Sequence, residues 1–94
     1  MFEISLSDDG KIKLSGRLDA AQAPKANEFL DKLGESFTVD FSGLDYISSA
    51  GLGVFLAARK RLDESGQKIR MVGMNKHVRD VFKYAGMNQI FEIE

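Results

Sequence analysis

A chain of 94 residues with 44% apolar content is long enough for one compact domain, expected over residues 1–94, and too apolar to be disordered. Its 13 basic and 14 acidic residues leave a net charge of −1, which gives no reason to expect nucleic-acid binding. Cysteine is absent and His77 is the one histidine, which excludes disulfides, thiolate metal sites and paired-histidine zinc motifs.

No apolar run approaches the roughly 18 residues of a membrane span. No basic region followed by an apolar block marks a signal peptide. The expectation is a cytoplasmic chain without membrane contact, consistent with a cysteine-free composition.

Phe2, Ile4 and Leu6 alternate with polar residues and predict a half-buried strand. Asp8-Asp9-Gly10 is turn chemistry; as an acidic pair for a metal it is the weaker reading. Ile12, Leu14 and Leu18 resume the alternation, with Gly16 inside it, so the two runs read as an antiparallel hairpin ending near Asp19. Pro24 suits the first turn of a helix carrying Ala23, Ala26, Leu30 and Leu33 on one stripe, with Gly34 at its C′ position.

Phe37, Val39 and Phe41 then predict a strand that Gly43 breaks. Tyr46 and Ile47 restore apolar character briefly. A helical pattern follows, Leu52, Phe55, Leu56 and Leu62, from about Ala50 to Ser65, with Gly66 at C′. Its Arg59-Lys60-Arg61 run reads as a solvated face. Ile69 to Val72 predicts a short strand. Asn75 suits the cap of a helix showing Val78, Val81, Phe82 and Ala85, which Gly86 ends. Ile90, Phe91 and Ile93 suggest a last strand, and Met71, Met74 and Met87 read as core filler.

The order β-β-α-β-α-β-α-β implies an α/β fold with a mixed, mostly parallel sheet and an N-terminal antiparallel hairpin. Strands that alternate, instead of running apolar throughout, place the helices mainly on one face.

Few chemistries fit. There is no G-x-x-x-x-G-K-[ST] cradle, and Leu56 spoils G-x-G-x-x-G after Gly51 and Gly53, so no nucleotide cofactor is expected. A hydrolase triad would need His77 beside a serine in a nucleophile elbow, and neither serine has one. His77 reads as a solvated surface residue. A receiver domain would need an acidic cluster at a strand end, whereas Asp40 lies within a strand.

What remains is Ser48 and Ser49, where a loop hands over to a helix. A serine there is a natural N-cap. The same place, at the positive end of the macrodipole, also favours a phosphate. Gly51 and Gly53 leave the first turn bare of bulky side chains, so a partner could approach closely. A phosphate adds about −1.5 to −2 charges, which the helix start tolerates and a docking partner does not.

The run D-F-S-G-L-D-Y-I-S-S-A-G-L-G, Asp40 to Gly53, resembles the signature of STAS domains, specifically the bacterial anti-sigma factor antagonists. Gly16-Arg17-Leu18-Asp19 resembles the family's G-x-[LI]-D. Met71-Val72-Gly73-Met74, followed by Val78, Phe82, Gly86 and Ile90-Phe91, resembles its closing region. The resemblance implies the STAS fold and a non-enzymatic switch. It binds an anti-sigma factor that is also a serine kinase, is released on phosphorylation and is reset by a serine phosphatase. Matched residue by residue, Ser49 is the phosphoacceptor, with Ser48 as the alternative. Asp19, Ser48, Ser49, Gly51 and Gly53 lie on the partner-binding surface, and Asp19 reads equally as a helix cap. Ser48 departs from the family, which usually carries aspartate there. The departure motivates a second reading, a constitutive STAS module in a scaffold or transport complex that is never phosphorylated. Oligomeric state is not specified by any of these features.

Overall fold

The structure is a computed structural model that describes residues Met1 to Glu94. Its elements in chain order are β1 (Phe2–Leu6), β2 (Ile12–Leu18), α1 (Ala23–Asp31), β3 (Phe37–Ile47), α2 (Ser49–Asp63), β4 (Ile69–Val72), α3 (Lys76–Tyr84), a 3-10 turn (Met87–Gln89) and β5 (Glu92–Ile93). The five strands lie side by side in sequence order. β1 and β2 are antiparallel, and every later pair is parallel. This is the mixed α/β sheet that the alternating pattern predicts. Ile90 and Phe91 fall just before the last strand.

Each parallel crossover adds its strand on the same side of the previous one. Right-handed crossovers of that kind bring their helices to one face. The core confirms this. Phe41 of β3 touches Phe55 of α2, with ring centroids 5.4 Å apart, and Phe82 of α3, edge-on at 5.7 Å. Phe82 in turn meets Phe91 at 6.2 Å. Met71, Met74 and Met87 are buried in the same cluster, as expected of filler. On the opposite face Glu3, Ser5, Lys13 and Ser15 stand in solvent.

β3 does not end at Phe41. It runs 11 residues to Ile47 and carries one extra residue against β2 at each of two bulges, between Asp40 and Gly43 and between Leu44 and Tyr46. Each bulge advances the alternation by one, so the inward residues are Phe41, Leu44 and Ile47, three apart instead of two. Gly43 therefore sits inside the strand. A Cβ there would come 2.8 Å from the Leu14 carbonyl oxygen. In β2, Gly16 has φ +85°, and the Arg17 N–H donates to the Met1 carbonyl at 2.9 Å; a side chain at Gly16 would collide with that carbonyl.

The β3–β4 ladder stops at the rung Asp40–Val72, and the bulge leaves Ser42 out of register with β2. Asp40 Oδ1 accepts from the Ser42 N–H at 2.9 Å. That bond, helped by the Ser42 hydroxyl and by Lys13 and Lys11, holds the Asp40 carboxyl below the usual carboxylate range. A depressed folded pKa contributes stability that is present above the unfolded pKa, about 4, and is lost as pH falls through the folded value. Asp40→Asn keeps an acceptor but not the charge. Its deficit in urea midpoint against wild type should be present at neutral pH and close on acidification below about 4. A pH-independent deficit would show that the charge contributes nothing.

Two smaller expectations change. Gly34 is not in the left-handed region; α1 ends at its C-cap Lys32. Arg61 holds this end, its guanidinium donating to Leu30 O in the last turn at 2.7 Å and to Leu33 O, just past the helix, at 2.8 Å. Arg59 likewise donates to Ile90 O at 2.8 Å and pairs with Asp63. Of the basic run read as a solvated face, only Lys60 is one. Gly66 and Gly86 do lie in the left-handed region beyond α2 and α3, and Asn75 does cap α3 through the Val78 N–H. In the first turn Asp9 accepts from Ser7 and from the Lys11 N–H, so the segment forms the turn its residues predict.

Candidate functional site

The two serines are not on a loop. β3 ends at Ile47 and α2 begins at Ser49, so Ser48 alone joins strand to helix. Ser48 is held at both backbone groups and at its side chain. Its N–H donates to Leu18 O at 2.9 Å, its carbonyl accepts from Leu52 N at 3.0 Å, and its Oγ accepts from the Gly51 N–H at 3.2 Å. It is half-buried and serves as the N-cap of α2. Ser49 is the first helical residue. Its side chain is exposed and makes no hydrogen bond within the chain.

The two glycines differ. Gly51 is buried, and a Cβ on it would meet Ile47 Cγ1 at 2.8 Å and Leu18 Cγ at 2.9 Å. It lets the first turn of α2 lie on the ends of β2 and β3, which is what sets the position of Ser49. Gly53 is exposed with open space around it. Of the two residues expected to bare the first turn to a partner, Gly53 alone faces solvent.

Asp19 follows β2 directly and is half-buried. Its Oδ1 accepts from the Gln22 N–H at 3.2 Å, and its carbonyl accepts from Gln22 N and Ala23 N. The carboxylate therefore organises the turn into α1, although the formal N-cap is Gln22. Asp19 thus caps the turn that precedes α1 and not the helix itself, whose cap makes no side-chain hydrogen bond. The turn brings Asp19 to the same end of the sheet as Ser48, because Ser48 is bonded to Leu18, its chain neighbour.

Electrostatically the site is a helix start without an acidic residue. α2 is 15 residues long, its first turn has no Asp or Glu, and its cap is a neutral hydroxyl. The partial positive charge at that terminus is left uncompensated. Basic residues, Lys60 and Arg61, sit in the last turn, where the dipole also favours them.

Sequence reading missed one feature beside this terminus. Arg17 and Tyr46 face each other across the β2–β3 ladder, one rung before Leu18 and Ile47. The Arg17 guanidinium carbon lies 4.3 Å from the centre of the Tyr46 ring. His77, exposed near the start of α3, stacks on the same ring at 6.2 Å with 21° between planes. The pairing depends on the second bulge of β3, which places Tyr46, not Asp45, opposite Arg17. No residue spacing announces it. No three His, Asp or Glu side chains converge to hold a metal, and no helix is long and apolar enough to cross a membrane.

The family model described as "Mlab, STAS domain" matches residues 3–92. The anti-sigma-B factor antagonist of Listeria monocytogenes is 32% identical over 92 residues, covering 94% of this chain and 81% of that protein. Among solved structures, an anti-sigma factor antagonist from Mycobacterium paratuberculosis has a TM-score of 0.81 at 17% identity, over 99% of this chain and 83% of that one. The Bacillus cell fate determinant SpoIIAA, solved in its phosphorylated form, has a TM-score of 0.71 at 15% identity, over 100% of this chain and 91% of that one. At such identities the two structures speak to the fold alone. The family model and the Listeria relative both extend over nearly the whole chain, and on that ground the chain belongs to the STAS domain family, among the bacterial anti-sigma factor antagonists.

Proposed function

We propose that this chain is a phosphorylation-controlled antagonist of an anti-sigma factor. It works by binding and catalyses nothing. In the unphosphorylated state it docks the rim around Ser49, Gly53 and Asp19 on an anti-sigma factor that is also a serine kinase, and so frees a sigma factor. Transfer of phosphate from the kinase's ATP to Ser49 ends the complex, and a serine phosphatase resets the switch in the cytoplasm.

The observation that carries this reading is the division of labour between the serines. Ser48 is committed to capping α2, half-buried and bonded to Gly51 N. Ser49 is exposed, unbonded and first in the helix, where the dipole favours a phosphate and the core is not disturbed. The charge therefore acts on the docking surface and not on the fold. The test is a titration of the anti-sigma factor with untreated and kinase-treated chain. Tight binding of the first and lost binding of the second is expected; equal binding of both contradicts the switch.

Ser48 itself favours one other reading. Where the family usually has an aspartate, this chain has a neutral cap, which removes an acidic group from the docking rim. A constitutive module in a larger assembly would tolerate that. It predicts that partner binding is indifferent to charge at Ser49.

A further inference from the structure

We propose that the stack of Arg17, Tyr46 and His77 is a second contact of the docking surface and that Arg17 recognises a carboxylate side chain of the anti-sigma factor. The inference rests on the reading of Ser49 given above and adds the residue that selects the partner.

Arg17 stands apart from the other arginines. Arg59 donates to Ile90 O and pairs with Asp63; Arg61 holds Leu33 O and Leu30 O; Arg70 pairs with Glu94; Arg79 donates to Glu94 O. The Arg17 guanidinium alone has no carboxylate or carbonyl partner within the chain. It lies instead over the Tyr46 ring, 4.3 Å from its centre. Tyr46 is steadied by His77 at 6.2 Å. Three elements, β2, β3 and the start of α3, thus present a cationic fork that rests on an aromatic ring and whose donors are unused within the chain. A planar fork of this kind matches a carboxylate bidentately. Arginine and tyrosine are also the side chains that carry most binding energy where proteins meet.

The position joins it to the Ser49 rim. The Arg17–Tyr46 rung is followed by Leu18–Ile47, and the next link is the bond from Ser48 N to Leu18 O. Tyr46 precedes Ser49 by three residues, a reach of at most about 11 Å along an extended chain. A partner covering Ser49 is therefore close enough to meet the guanidinium. The uncompensated charge calls for an acidic group on that partner.

Binding of the purified anti-sigma factor kinase from the same organism tests this with three variants, each first checked for an unchanged melting curve. Arg17→Glu should weaken binding by about tenfold or more. Arg17→Lys, which keeps the charge and loses the fork, should fall between it and wild type. Tyr46→Leu should weaken binding as well, by releasing the guanidinium from its platform. If Arg17→Glu binds within about twofold of wild type while Ser49→Asp does not bind, the contact is overturned and the reading of Ser49 stands. If wild type does not bind the kinase, both fall. If Arg17→Glu leaves binding intact and lowers only the melting temperature of the Ser49-phosphorylated chain, the guanidinium serves the phosphate within the chain, and the proposal is overturned.

Discussion

Ser49→Asp is expected to lower affinity for the anti-sigma factor by about two orders of magnitude, close to 2.7 kcal/mol, while leaving folding stability intact. The two halves have separate causes. The carboxylate arrives at the first residue of α2, whose first turn holds no acidic side chain. A negative group at such a position is neutral to favourable, by up to about 1 kcal/mol. Ser49 is exposed, so no core residue needs to repack. At the partner's surface the same charge must be desolvated where a neutral hydroxyl had been. Calorimetric titration and a urea melt read the two effects independently. A variant that binds as wild type would favour the constitutive module. A variant that loses binding only because it unfolds would remove the electrostatic account.

Phe41→Ala is expected to cost about 3–5 kcal/mol, a large part of the roughly 5–14 kcal/mol typical of a chain this size. Phe41 is fully buried and is the point where α2 and α3 meet the sheet, through Phe55 and Phe82. Removing its ring leaves a cavity bordered by two helices and a strand, which cannot all close on it. The urea midpoint should drop by more than about 1 M. Tyr84→Ala is the control. Tyr84 is 85% exposed and its loss should stay within about 0.5 kcal/mol. A Phe41 deficit as small as the Tyr84 one would show that the three rings do not form the keystone of the core.

The fold was legible because most of its elements obey simple periods. Phe2, Ile4 and Leu6 alternate; Val78, Val81 and Phe82 follow a helical stripe; Asn75 and Gly86 mark the ends of α3. Reading failed where the backbone departs from its period. The two bulges of β3 turn an alternation of two into a spacing of three, so Phe41, Leu44 and Ile47 do not look like one strand, and Gly43 looks like a break. The consequence was functional, since a loop was expected where one residue, Ser48, makes the whole connection. The basic run Arg59 to Arg61 misled for another reason. Its carbonyl partners, Ile90, Leu33 and Leu30, lie about 30 residues away in the chain, and hydrogen bonds to backbone leave no trace in side-chain pattern. Arg17 and Tyr46 combine both difficulties, a distant pair made adjacent by a bulge.

At the serines, the motif named both residues but could not rank them by environment. Both are small hydroxyls at a helix start. Only the hydrogen bond from Gly51 N to Ser48 Oγ, and the absence of one from Ser49, separates the cap from the proposed acceptor.

That separation is open to one direct measurement. The wild-type chain, Ser48→Ala and Ser49→Ala are each incubated with the anti-sigma factor kinase and ATP, and the phosphorylated residue is mapped by mass spectrometry. The account predicts a single phosphate on Ser49 in wild type and in Ser48→Ala, and none in Ser49→Ala. A phosphate on Ser48, or an unmodified wild-type chain beside an active kinase, would contradict it.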